Sequence, residues 1–127
     1  MGFALPGAIA ANLVDPARRV VGLAGDAGFM MNVQEMETAN RLESNIVMLV
    51  WEDGAYGLIA WKQETQFGKH TDLAFGNPDW LELARAFGWN GHRVERCAGV
   101  AEVVSHAQAE HGTRLVLDGT AVPGPQP

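Results

Sequence analysis

Cysteine is almost missing from this chain, with Cys97 the single one among 127 residues. A lone thiol forms no internal disulfide, and without a CxxC companion it makes no Cys-based zinc site. That usage suits a reducing, cytoplasmic setting and leaves Cys97 as a small, partly buried apolar residue. Basic clusters are missing too. Nine Lys and Arg are interspersed with fifteen Asp and Glu, for a formal net charge of -6. Neither a nucleic-acid footprint nor attachment to an anionic membrane surface is expected from that pattern. An anionic ligand would have to be met by a metal or by backbone donors. The longest apolar opening, Met1 to Val14, lacks a basic start and is too short to cross a bilayer, so it reads as a core helix. No internal repeat is present. His70, His92, His106 and His111 are scattered without ligand spacing, and surface or loop positions are expected for them.

What is present is a core-forming composition, 47% apolar with moderate charge, in a chain of single-domain size. Pro6 and the run Gly7 to Leu13 predict a helix with proline in its first turn, ending before Asp15-Pro16. Val20 to Ala24 is continuously apolar, as in a central strand buried on both faces. Val33, Met36, Ala39 and Leu42 have helical spacing, with Gln34, Glu35, Glu37 and Arg41 on the polar face and Asn32 as the expected cap. Ile46 to Trp51 predicts a second buried strand, and strand, helix, strand implies a parallel pair. Ala55 to Gly76 reads as a short helix followed by an irregular loop from Lys69. Asn77-Pro78-Asp79 predicts a helix start capped by Asn77, with Leu81, Leu83, Ala84 and Phe87 continuing to Gly88. A brief strand around Val94, a helix over Val100 to Ala109 and a last strand from Arg114 to Asp118 complete an α/β pattern, a parallel sheet with flanking helices. The tail from Gly119, with Pro123, Pro125 and Pro127, is expected to be irregular.

Asp26 follows the first strand and Asp53 the second, so parallel pairing delivers both carboxylates to one edge of the sheet, where ligands of open α/β folds bind. Two hard anionic oxygens there suit Mg²⁺, which takes its remaining ligands from water and phosphates. Gly25-Asp26-Ala27-Gly28 feeds a helix expected near Met31, whose N-terminal N–H groups can reach a phosphate. A dinucleotide site competes, because Gly22, Gly25 and Gly28 recur every third residue. The spacing is not G-x-G-x-x-G, and Asp26 in the loop would repel a bare pyrophosphate. The G-x-x-x-x-G-K-[ST] pattern is not matched either, and no lysine lies nearby. Solvated turn residues at strand ends remain the plain alternative for both acids. Met30-Met31 and the four tryptophans read as core or partner-facing packing, not a cofactor box.

Gly25-Asp26-Ala27-Gly28-Phe29, Gln34-Glu35-Met36-Glu37-Thr38-Ala39 and Trp51-Glu52-Asp53-Gly54-Ala55-Tyr56-Gly57 together resemble the signature of thiamine diphosphate enzymes, Gly-Asp-Gly followed by Asn-Asn. Met1-Gly2-Phe3-Ala4-Leu5-Pro6 is similar to the segment preceding that signature in acetolactate synthases. The resemblance runs from about Met1 to Val104. It implies a thiamine diphosphate-binding domain of the PP type over residues 1–118, incomplete at its N-terminus, with 119–127 as an irregular tail. It implies Asp26, Asp53 and the carbonyl of Ala55 as Mg²⁺ ligands. Gly25, Ala27 and Gly28 would line the diphosphate, Tyr56, Gly57 and Leu58 would close over the cofactor, and Met1 would stand where an apolar residue bends it. By the same resemblance the activity is condensation of two 2-oxo acids, pyruvate among them, with loss of carbon dioxide.

Two departures stand out. Glu52-Asp53 replaces Asn-Asn, a Trp-x-Asp variant that resembles the catabolic, pyruvate-only type. Lys62, beside Trp61, stands where biosynthetic enzymes place a tryptophan, which leaves the acceptor open. The acid that activates the cofactor comes, in this family, from another domain of a neighbouring subunit, so neither Glu35 nor Glu37 is assigned to it. The implied partners are a pyrimidine-binding domain on another chain or in an N-terminal part not contained here, and a second copy in a homo-oligomer. The chain alone is expected to be inactive. A flavin (FAD) is left open. A non-catalytic Mg²⁺-diphosphate binding module and an inactive structural remnant are the alternatives.

Overall fold

The structure of the protein, a computed structural model, describes residues 1–94, 101, 102, 104, 105, 112 and 114–118, the last five as backbone only. Cys97, His106, His111 and the tail 119–127 lie outside the described residues, as does most of the helix expected over Val100 to Ala109.

Helix α1 (Ala4–Val14) leads into strand β1 (Val20–Gly25). Two short helices, α2 (Asp26–Met30) and α3 (Glu35–Arg41), connect it to β2 (Ile46–Trp51). Helix α4 (Gly57–Phe67), helix α5 (Trp80–Ala86), strand β3 (Asn90–Val94) and strand β4 (Arg114–Asp118) follow. The four strands form one parallel sheet in the order β1-β2-β4-β3. The parallel α/β architecture is as the sequence implies.

The main hydrophobic cluster of the described residues lies on one face of this sheet. Leu5, Ala8 and Ile9 of α1, Phe29 of α2, Met36 and Ala39 of α3, and Trp80 and Ala84 of α5 pack against Ile46, Met48 and Val50. The alternation along β2 selects these three residues for that face, since successive side chains of a strand point oppositely. α1 approaches β1 closely at Gly22, where any Cβ would run into the side chain of Met48 and come within 3.3 Å of Ala8 Cβ. Phe29 and Trp80 meet edge to face at 6.0 Å. Buried Asn12 ties α1 to the strand ends, donating to Arg18 O at 2.9 Å and accepting from Asn45 N at 2.9 Å.

Four expectations need correction. β1 is an edge strand among the described residues, not a central one, and Val21 and Leu23 are 44% and 58% exposed on the face away from α1. A continuous apolar run says both faces need cover; it does not say that this chain provides it. The helix expected near Met31 begins at Asp26 instead, as the separate five-residue α2. Asn32 caps nothing: Gln34 precedes α3 without a side-chain bond to the helix, and Asn32 Nδ2 reaches back to Gly2 O at 2.6 Å. Nor does Asn77 cap α5. That task falls to Asp79, whose carboxylate accepts from Leu81 N at 2.9 Å and Glu82 N at 3.0 Å.

Helix α4 is longer than the expected short one, eleven residues ending at Gly68, whose φ of +68° makes a left-handed stop. None of its residues is buried; Leu58, Trp61 and Phe67 are 70%, 56% and 65% exposed. Trp80 and Trp89 are core, whereas Met30 and Met31 are largely solvent-facing. His70 and His92 are exposed, as the scattered spacing implies.

Candidate functional site

Parallel pairing sets Gly25 opposite Trp51 at the carboxyl ends of β1 and β2. The chain leaves both strands there, so Asp26 and the stretch Glu52-Asp53-Gly54 emerge side by side. Asp26 is 1% exposed, and its carboxylate organises the edge. Oδ1 accepts from Ala27 N at 2.8 Å. Oδ2 accepts from Asp53 N at 3.2 Å, Gly54 N at 2.8 Å and Asn77 Nδ2 at 2.7 Å. Four donors on one acceptor-only group is close to its capacity, and they explain how a carboxylate can be buried here. Gly54 turns the chain with φ +66°, a left-handed conformation that suits glycine.

Asp53 meets solvent more freely and accepts from Ala55 N at 3.3 Å through Oδ1. Partial loss of hydration raises its carboxyl above the ordinary value, and the charge and carboxylate of Asp26 push it further the same way, against the lowering effect of the Ala55 N–H. The two acids therefore face each other closely enough to repel. A divalent cation relieves such a pair, since both carboxylates lower their energy by sharing it.

Ala55 is oriented by a strap. Phe75 N donates to Gly54 O at 2.9 Å and Tyr56 N to Leu73 O at 3.1 Å, making an antiparallel bridge between Ala55 and Ala74. In this pattern the bonded groups belong to the neighbours of Ala55, so its own N–H and C=O point away from the strap. The N–H on that side meets Asp53 Oδ1, and the carbonyl is presented to the same side. Tyr56 and Phe75 pack their rings at 5.1 Å, fastening the strap outside the turn. Gly57 is small because Asp53 needs the space; a Cβ there would stand 2.5 Å from Asp53 Oδ2.

Three oxygen donors, two of them carboxylates and one a carbonyl, thus fit a hard cation that keeps further positions for water or phosphate. Among the described residues there is no group of three His, Cys, Asp or Glu side chains able to hold a metal, so a metal here needs the carbonyl and an outside ligand. Gly28 stands at the start of α2, where a Cβ would meet nothing closer than 3.9 Å, leaving backbone donors approachable.

Every residue that the resemblance assigns to the metal or the cofactor lines one cavity of about 690 Å³. Met1, Gly25, Asp26, Ala27 and Gly28 line it together with Asp53, Ala55, Tyr56, Gly57 and Leu58. The polar end is at the two acids. The apolar end runs along Val20 to Ala24 and the start of α1, past Phe3 and Met1, both mostly exposed. Glu35 and Glu37 are not among the lining residues.

Three features of the edge lie beyond the sequence reading. Asn77 reaches the site from 51 residues away, the strap over Leu73 to Phe75 orients Ala55, and Arg93 Nη1 pairs with Glu52 Oε2 at 3.2 Å. The residues themselves give no local signal of these contacts, apart from an Asn-Pro-Asp triplet holding two residues able to cap one helix. Among the described residues, no helix is long and apolar enough to cross a membrane.

Comparison with known proteins gives the family. Residues 1–118 match the thiamine pyrophosphate enzyme C-terminal TPP binding domain. The chain is 38% identical over 116 residues to an acetolactate synthase of Bacillus subtilis (strain 168), an alignment covering 91% of this chain and 20% of that protein. It is 37% identical over 116 residues to a catabolic acetolactate synthase of Raoultella terrigena, covering 91% and 21%. Acetolactate synthase isozyme 2 large subunit of Escherichia coli (strain K12) is 36% identical over 98 residues, covering 76% and 18%. The chain spans about a fifth of the length of the first two relatives. With the family matched over residues 1–118 and relatives 37–38% identical over 91% of the chain, the chain belongs to the thiamine pyrophosphate enzymes, as their C-terminal TPP-binding domain.

Proposed function

We propose that this chain anchors thiamine diphosphate through Mg²⁺ held by Asp26, Asp53 and the carbonyl of Ala55, as part of an acetolactate synthase-like enzyme acting on pyruvate. The observation that carries this is the convergence of two carboxylates and one outward carbonyl at the polar end of a cavity whose other end is apolar. The metal would neutralise the repelling pair and bridge it to the diphosphate. Gly25, Ala27 and Gly28 offer backbone to the phosphate groups, and Tyr56, Gly57 and Leu58 line the same cavity. Met1 and Phe3 supply apolar surface against the body of the cofactor. When bound, thiamine diphosphate supplies the carbanion-stabilising chemistry by which a 2-oxo acid loses carbon dioxide. What the chain's own residues contribute is orientation and charge.

No acid other than Asp26 and Asp53 lines the cavity among the described residues, and both are engaged at its polar end. This favours a second reading for the isolated chain: residues 1–118 as a binding module that is inactive alone. Its partner would be a pyrimidine-binding domain, on another chain or in an N-terminal part, within a homo-oligomer in the cytoplasm. Exposed Val21 and Leu23 at the open edge of β1, and the uncovered apolar side chains of α4, support a need for such cover.

Calorimetry with thiamine diphosphate, run with and without Mg²⁺, tests the proposal. Binding that appears only with the cation supports it, and equal heats in both cases refute it. A carbon dioxide release assay with pyruvate then separates an enzyme from a binding module.

A further inference from the structure

Asn77 lies in the irregular stretch before α5. Its amide Nδ2 donates to Asp26 Oδ2 at 2.7 Å and, more weakly, to Glu52 Oε1 at 3.4 Å. Both partners are carboxylates, so the amide has one workable orientation, because turning it over would set its oxygen against theirs. The consequence is visible on its other side. Asn77 Oδ1 is buried and has no hydrogen-bond partner. A buried carbonyl in that state is a standing cost, and the side chain accepts it to keep its NH₂ between the two acids. Arg93 holds Glu52 from the far side at 3.2 Å, so the second acid is drawn away from the cavity.

We propose that Asn77 is a positioning residue that fixes the Asp26 carboxylate for a small octahedral cation and so selects Mg²⁺ over Ca²⁺. This rests on the metal-diphosphate reading given above. Of the three donors on Asp26 Oδ2, two are N–H groups of the turn at Asp53 and Gly54, and Asn77 supplies the third from a separate segment. That segment also carries Leu73 and Phe75, which orient the turn on either side of Ala55. One stretch of chain therefore sets the first carboxylate and the carbonyl together. Mg²⁺ requires near-ideal geometry at about 2.0–2.1 Å, whereas Ca²⁺ accepts looser ligands at about 2.3–2.6 Å. Releasing Asp26 on one side penalises the smaller ion more.

The test titrates Mg²⁺ and, separately, Ca²⁺ into the protein with thiamine diphosphate present, followed by calorimetry, with metal-free melting as a second readout. Asn77→Ala is expected to weaken Mg²⁺ binding about tenfold, the usual scale for a group supporting a metal ligand, and Ca²⁺ binding less, so that the Mg²⁺ to Ca²⁺ affinity ratio falls. Asn77→Ser, which keeps a short donor and serves where the alanine variant folds poorly, should lower the ratio less. Asp79→Ala removes the α5 cap two residues along; it should lower the melting temperature and leave the ratio at the wild-type value. An unchanged ratio in Asn77→Ala and Asn77→Ser overturns the inference, as does an equal fall in Asp79→Ala. A wild-type protein that takes up neither cation overturns the parent reading, and this one with it.

Discussion

Replacing Asp26 by asparagine changes one atom and should expose how much the site edge depends on that carboxylate. Four donors converge on it, at 2.7 to 3.2 Å. An amide offers a single acceptor oxygen. Placed at the Oδ2 position, that oxygen keeps three donors in weaker, uncharged form and turns its NH₂ against Ala27 N. One charge-assisted bond worth about 1.5–3 kcal/mol is lost, and three others weaken. Relief of the repulsion with Asp53 offsets part of this, leaving a net loss of about 2–3 kcal/mol. At roughly 4 °C per kcal/mol for a domain of this size, the metal-free protein should melt about 10 °C lower. Thermal unfolding followed by circular dichroism, without cation or cofactor, measures it. An Asp26→Asn variant that melts with the wild type would show that these bonds do not hold the edge together.

Asp53 should behave in the opposite sense. Its folded carboxyl is raised above the ordinary 3.8, so its contribution to metal-free stability is full below that value and is lost as pH rises through the raised one. Asp53→Asn should remove this pH-dependent loss in urea titrations while keeping an oxygen for the metal, and Asp53→Ala should abolish Mg²⁺-dependent cofactor binding in calorimetry. Gly57→Ala places a Cβ 2.5 Å from Asp53 Oδ2; melting should hold, while cofactor affinity measured with Mg²⁺ falls about tenfold. Trp80 is fully buried against Phe29, and Trp80→Ala should destabilise the fold by about 3–5 kcal/mol in chemical denaturation.

The strand-end acids were legible because the signal is local and repeated. Val20 to Ala24 and Ile46 to Trp51 are apolar without interruption, each is stopped by an acid-containing turn, and parallel pairing then leaves no choice about the edge they share. α2 was not legible, since five residues span too little of a helix for periodicity to appear. The role of Asn77 is hidden for a different reason. Asn77 and Asp79 both suit a helix start by type, and what decides between them is Asp26, 51 residues away in the chain. The strap at Leu73 to Phe75 likewise uses backbone groups, which carry no sequence signature. The edge position of β1 depends on which neighbours the sheet has, and an apolar run reports only the demand for cover.

The most direct measurement is anomalous diffraction from crystals grown with thiamine diphosphate and Mn²⁺ as a visible substitute for Mg²⁺. The account predicts one strong peak within bonding distance of Asp26, Asp53 and the Ala55 carbonyl, adjoining the diphosphate. A cofactor seated in the cavity with no cation between those carboxylates, or a cation bound elsewhere, would contradict it.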